Sequence, residues 1–170
     1  MNAIIASVCI ISKDDQILLL RRNHQPYKGK WAVPQGLVEF GESPVQTAQR
    51  EVYEETGLTV TDCDHRGHLL LYNKDRSFPV SVEYFIALDY QGELRAGDEG
   101  PAAWFPVSEI PKLNLIGFVR VTLPLLLLPG TFLTGTVLHS KTGEVISYCL
   151  SHHYIIETKV LQFGSSNHAL

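Results

Sequence analysis

Residues 36–58 read GLVEFGESPVQTAQREVYEETGL, and the fold follows from this stretch outward. Three of its carboxylates, Glu51, Glu54 and Glu55, are spaced i, i+3, i+4. On a helix that spacing stacks them along one face. Like charges so close repel, so the arrangement costs stability unless something positive lies between them. A hard divalent cation such as Mg²⁺, which takes oxygen ligands, meets that need. The plainer alternative is a solvated acidic helix face.

The helix is predicted from local signals. Ser43 suits the N-cap and Pro44 the first helical position, and Gln46 completes the S-x-x-Q form of the capping box. Val45, Ala48 and Val52 recur at i, i+3 and i+7 and form an apolar stripe. Gly57 can stop the helix in the left-handed conformation. One short helix therefore buries one stripe and points its acidic face elsewhere.

The rest of the chain bounds the answer. At 170 residues, with 45% hydrophobic and 19% charged residues, it suits one domain with a real core. The net charge of −4, with no long basic run, lacks the footprint of a nucleic-acid binder, so no DNA binding is expected. An acidic protein acting on an anionic substrate needs cations as a bridge. Cys9, Cys63 and Cys149 are isolated, show no C-x-x-C spacing, and read as incidental thiols of a reducing cytoplasm. The apolar N-terminus has no positive flank and meets Lys13-Asp14-Asp15 at once, which reads as strand and turn rather than signal peptide. Residues 113–128 are apolar but contain Arg120 and Pro124 and are short for a bilayer span, so no membrane role is expected.

Strands are predicted at 3–12, 16–21, 66–72, 80–88 and 103–105, with short extended pieces at 31–33 and 37–39. A helical turn is expected at 108–110 and a helix at 116–123, ended by Pro124. Residues 131–148 read as a hairpin turned at Lys141-Thr142-Gly143, and 154–163 as another strand. His139, His152 and His153 have no carboxylate at ligand spacing and are read as surface histidines. Periodicity alone supports mixed α and β.

Taken together, the quoted segment resembles the Nudix box, G-x5-E-x7-R-E-U-x-E-E-x-G-U, where U is a bulky aliphatic residue. Gly36, Glu42, Arg50, Glu51, Val52, Glu54, Glu55, Gly57 and Leu58 fill every defined position. Seven fixed matches at one site arise by chance about once in 10⁸ to 10⁹. Ahead of the box, GKWAVPQG at 29–36 is similar to the family's lead-in. Behind it, Gly97-Asp98-Glu99-Gly100 before Trp104-Phe105 resembles the loop where many members carry a further metal-binding glutamate.

The resemblance implies an α/β fold, a Nudix-type α/β/α sandwich with a mixed β-sheet over residues 1–128. Residues 129–170 are then a C-terminal extension: added strands, a dimer contact or a loose end. It implies Mg²⁺- or Mn²⁺-dependent hydrolysis of a nucleoside diphosphate–X substrate to a nucleoside monophosphate and phospho-X. The metal ligands it implies are Glu51, Glu54, Glu55, the Gly36 backbone carbonyl and Glu99. Arg50 orients a box glutamate, Glu42 holds the preceding loop to the helix, and Glu51 and Glu99 compete for the role of general base. Arg21, Arg22, Lys30 and Arg76 are candidate phosphate contacts, while Tyr27, Phe78 and Tyr84 are aromatics that could stack on a base. Trp104 is read as core. ADP-ribose, NADH and nucleotide sugars lead the small-nucleotide substrates. Gln35 stands where many members have glycine, and the Pro-Gln-Gly lead-in also resembles hydrolases of dinucleoside polyphosphates and RNA 5′ ends. Oxidised dNTPs come next, and a non-catalytic nucleotide sensor is the alternative outside enzymes. A homodimer stays open.

Overall fold

The computed structural model describes residues 4–154. Of the strand expected at 154–163, only Tyr154 falls among them. In chain order the strands are β1 (Ile4–Ile10), β2 (Ser12–Lys13), β3 (Gln16–Arg21), β4 (Trp31–Ala32) and β5 (Gln35–Leu37). Helix α1 (Pro44–Thr56) follows, then β6 (Thr59–Asn73), β7 (Val80–Gln91) and β8 (Ala102–Pro106). A 3-10 helix (Val107–Lys112), α2 (Gly117–Leu126), β9 (Thr131–His139) and β10 (Val145–Tyr154) complete the order.

A six-stranded mixed sheet runs β10-β9-β6-β7-β1-β5. β1 is parallel to β7, β9 is parallel to β6, and the other pairings are antiparallel. A smaller sheet is built on β3, which pairs with β2, β4 and β8. The change of sheet occurs at Ile11, and Asp14 takes a positive φ of 54° in the turn that sends β2 back along β3.

Two cores form because β1 and β3 are buried on both faces, the pattern of an apolar run covered from both sides. Val8, Ile10, Ile17 and Leu19 face a core shared with α2, including Phe118, Leu123 and Leu126. Cys9, Ile11 and Leu18 alternate to the other core, with Ala48 and Val52 of α1. A helix thus lies on each side of the strands, the sandwich that the resemblance implies. No helix among the described residues is long and apolar enough to cross a membrane.

Several boundaries differ from expectation. β6 begins at Thr59 instead of 66. Its polar first half pairs with the end of β7 through register shifts at Val60/Asp62, Asp62/Cys63 and His65/Gly67, so cross-strand pairing overrides a composition that reads as loop. Pro124 lies inside α2 rather than ending it. Pro124 and Arg120 are both solvent-exposed, so the carbonyl deprived of its amide partner is on the wet face, and Leu127 N–H still donates to Leu123 O at 3.1 Å. His139 is buried, not a surface residue; it packs 5.7 Å from the Phe118 ring centroid, with Nδ1 2.8 Å from Ser140 O.

Candidate active site

The quoted helix forms as its caps dictate. Ser43 Oγ accepts from Gln46 N–H, Gln46 Oε1 accepts from Ser43 N–H at 2.9 Å, and Gly57 closes the helix at φ 77°. Ala48 and Val52 are buried and Val45 packs at the margin of the same core. Burial of that stripe fixes the rotation of the helix and therefore where its glutamates project.

Arg50 organises the outer side. Its Nε donates to Glu42 Oε1 at 2.7 Å and its Nη2 to Glu42 Oε2 at 3.0 Å, while Nη1 reaches Glu51 Oε1 at 2.7 Å and Glu54 Oε2 at 3.2 Å. Nη2 also donates to Leu37 O at 3.1 Å. Hydrogen bonds from Arg50, then Thr47, hold the Glu42 carboxyl down at about 2. Glu42 therefore ties the loop to the helix, and Arg50 lies against Glu51 and Glu54.

The inner side is different. Glu55 is 4% exposed, and burial followed by repulsion from Glu51 pushes its carboxyl up to about 8. Gln35 N–H donates to Glu55 Oε2 at 3.1 Å. Burial also raises the Glu51 carboxyl, with Arg50 opposing. The Glu51 carboxylate lies so close to Gly36 that a Cβ there would fall 1.8 Å from Oε1.

Glu99 comes from far along the chain. Arg95 N–H donates to Thr56 O at 2.8 Å and Gly97 N–H to Glu55 O at 3.1 Å, fastening its loop to the end of α1. A Cβ on Gly97 would meet Glu54 O at 2.4 Å, so glycine is what permits the approach. On the other side Asn23 N–H donates to Glu99 O at 2.7 Å. Arg22 Nη1 lies 3.1 Å from Glu99 Oε2, an oxygen shielded from solvent without a well-aligned hydrogen bond.

Glu51, Glu55, Glu99 and Gly36 line one cleft of about 930 Å³, together with Arg22, Tyr27 and Arg76. Its volume suits a nucleotide-sized ligand. Of the other sequence candidates, Glu54 projects at the surface beside Arg50, and neither it nor Arg21 lines the cleft. Lys30 pairs with Glu144 outside the cleft, Phe78 is exposed and Tyr84 is buried in the core. Sequence reasoning missed Gln25, Asn73, Asp75, His139 and Lys141 in the lining. Gln25, Asn73 and Asp75 carry no local signal, and His139 reads in the sequence as a surface histidine. Lys141 was legible only as part of a turn.

The donors suit a hard divalent cation. Glu51 and Glu55 repel one another within the cleft, and Glu99 offers a shielded oxygen without a hydrogen bond. Among the described residues no three His, Cys, Asp or Glu side chains are already grouped as a cage. Arg50, held between Glu51 and Glu54, neutralises part of the cluster.

Comparison with known proteins bears on the fold and the family. The NUDIX domain profile matches residues 1–126. An ADP-ribose pyrophosphatase from Methanocaldococcus jannaschii is 36% identical over 116 residues, covering 61% of this chain and 62% of the relative, so the match spans less than two thirds of that relative. The uncharacterized Nudix hydrolase YvcI from Bacillus subtilis is 30% identical over 86% of this chain and 94% of its own length. Among solved structures, a MutT protein from Bacillus halodurans superposes with a TM-score of 0.76 at 28% identity, covering 87% of this chain and 97% of its own.

Proposed function

The chain belongs to the Nudix family, and from that premise we propose that it is a pyrophosphohydrolase acting on a nucleoside diphosphate–X, with ADP-ribose, NADH and nucleotide sugars as the first substrate group. The observation that carries this reading is the convergence of Glu51, Glu55 and Glu99 on one cleft beside Gly36. The archaeal relative named an ADP-ribose pyrophosphatase supports the substrate group. A relative from Mannheimia succiniciproducens, 34% identical over 69% of this chain and 47% of its own length, is named an NAD-capped RNA hydrolase and keeps RNA 5′ ends as the runner-up.

In this reading Glu51, Glu55 and Glu99 hold Mg²⁺ or Mn²⁺, with Glu54 at the outer margin and the Gly36 carbonyl as a further oxygen. The bound cation supplies charge neutralisation for the phosphoryl oxygens and makes water a better nucleophile at neutral pH. Arg50 keeps the Glu51 carboxylate aimed. Glu51 or Glu99 accepts the proton of the attacking water. Water adds to one phosphorus as the bridging P–O bond breaks, giving a nucleoside monophosphate and phospho-X. Arg76 holds phosphate oxygens, Arg22 keeps Glu99 in place through their ion pair, and Tyr27 offers a ring to the ligand. Cytosolic nucleotides are the natural setting, where thiols such as exposed Cys149 stay reduced.

The test is a panel of ADP-ribose, NADH, nucleotide sugars, diadenosine polyphosphates, 5′-capped RNA and oxidised dGTP, with Mg²⁺, products identified and ¹⁸O-water used to find the attacked phosphorus. Release of AMP and ribose phosphate from ADP-ribose is the expected result. No Mg²⁺-dependent product from any of them, with tight nucleotide binding retained, would mean a sensor instead of an enzyme.

A further inference from the structure

The cleft does not end at residues contributed by the family domain. Its far wall carries Lys141 and His139 from the β9–β10 hairpin, beyond the last residue of the family match. We propose that the turn between β9 and β10 is part of the substrate site, and that Lys141, with Arg76 of the same lining, selects substrates with a further anionic group beyond the scissile diphosphate. The inference rests on the pyrophosphohydrolase reading above and narrows it: within the nucleoside diphosphate–X class, an X that carries a phosphate of its own binds more tightly than a neutral sugar.

The turn is a built element. Ser140 N–H donates to Glu144 O at 2.8 Å and Gly143 N–H to Ser140 O at 3.0 Å, which closes it on itself. Gly117 N–H donates to Gly143 O at 3.0 Å, pinning it to the start of α2, and Lys30 pairs with Glu144, pinning it to the loop before β4. The Tyr27 ring lies flush on buried Gly143, where a Cβ would sit 2.6 Å from Cε1. Lys74 N–H donates to His139 O at 3.2 Å, which joins the β6–β7 loop carrying Arg76 to the same corner. Residues remote in sequence thus form one wall.

The charges divide the cleft into two poles. Glu51, Glu55 and Glu99 make the acidic pole, and Arg22 is committed to Glu99. Tyr27 lines the same cleft, and burial pushes its hydroxyl up against the opposing charges of Arg76 and Arg22. Neither Arg76 nor Lys141 forms an ion pair with any described residue, and Asp75 is the one carboxylate of the far wall, which leaves that wall net positive among the described residues. A ligand whose diphosphate sat at the acidic pole would bring any further anionic group within the same cleft as Arg76 and Lys141. A phosphate there gains charge-assisted contacts that a neutral sugar does not.

The test is calorimetric titration, in Mg²⁺, of α,β-methylene-ADP and α,β-methylene-ATP, which differ by one terminal phosphate. The full-length protein is expected to prefer the longer probe by about tenfold. Lys141→Met is expected to abolish most of that preference, and Lys141→Arg to keep it. Lys141 is exposed in its turn, so folding is not at issue. A wild-type preference near unity overturns the proposal, as does a preference that Lys141→Met leaves at the wild-type value. If neither probe binds in a Mg²⁺-dependent way, the pyrophosphohydrolase reading itself fails.

Discussion

Glu55 is the residue whose environment is most at odds with its chemistry. The chain buries a carboxyl beside Glu51 and Glu99 and raises it to about 8, far above an ordinary glutamate near 4.5. Between those two values the folded chain keeps a proton that the unfolded chain releases. Without metal, stability therefore falls as pH rises from about 4.5 to about 8, by on the order of a few kcal/mol. Below that window both states are protonated and nothing is lost. In EDTA, the melting temperature of the wild type is expected to drop across the window, while Glu55→Gln gives a flatter profile and melts higher at pH 8. Mg²⁺ is expected to restore much of the wild-type loss at pH 8. Circular dichroism melts at stepped pH read this directly. Parallel profiles for the two proteins would show that burial of the ionised carboxylate is not the cause.

At the scale of elements, α1 was legible almost to the residue, because a capping box, a proline at the first position and a glycine stop are all local chemistry. The loop at 92–101 was legible only in part. Glu99 could be picked out by resemblance, but what carries it to Glu55 is the close approach of Gly97 to the last turn of α1, which no local pattern announces. That approach can be tested without touching a carboxylate. Gly97→Ala puts a methyl where backbone already lies, 2.4 Å from Glu54 O and 2.7 Å from Glu55 Cα, so the loop must back away and take Glu99 with it. A displacement near 1 Å at a reacting centre costs about a hundredfold in rate. The expected result is a fall in kcat of that order, with far-ultraviolet circular dichroism retained. Unchanged turnover would place Glu99 outside the chemistry. The extent of β6 was hidden for a related reason: Thr59–Asn73 is held by its partners, not by its own alternation of apolar and polar residues.

At the scale of the whole molecule, the hairpin that the sequence left without a role is continuous with the rest. β9 extends the large sheet in parallel with β6, and Leu133 and Val137 enter the same core as Phe118 and Leu123. The sequence reads as a hairpin there, yet nothing in it gives the side of the sheet it joins, since that depends on contacts such as Lys30 with Glu144, 114 positions apart. Arg66 locks the join. Its guanidinium is buried and donates from Nε to Thr131 O at 2.6 Å and from Nη2 to Leu128 O at 2.7 Å, so one side chain of β6 satisfies carbonyls where α2 hands over to β9. Arg66→Met keeps much of the length but leaves those carbonyls without their donor, at about 2 to 3 kcal/mol for charge-assisted bonds of this kind. For a chain of this size each kcal/mol lowers the melting temperature by about 2 to 4 °C, so a drop of roughly 5 to 10 °C is expected. The shape of the transition is more telling than its midpoint. Because the hairpin shares a core with the helix and sheet that hold the cleft, melting is expected to stay a single step by circular dichroism and by tryptophan fluorescence alike. Trp31 and Trp104 both lie outside the hairpin, so a fluorescence midpoint that stays at the wild-type value while the ellipticity midpoint falls would mean that the hairpin melts alone and lends the cleft no support.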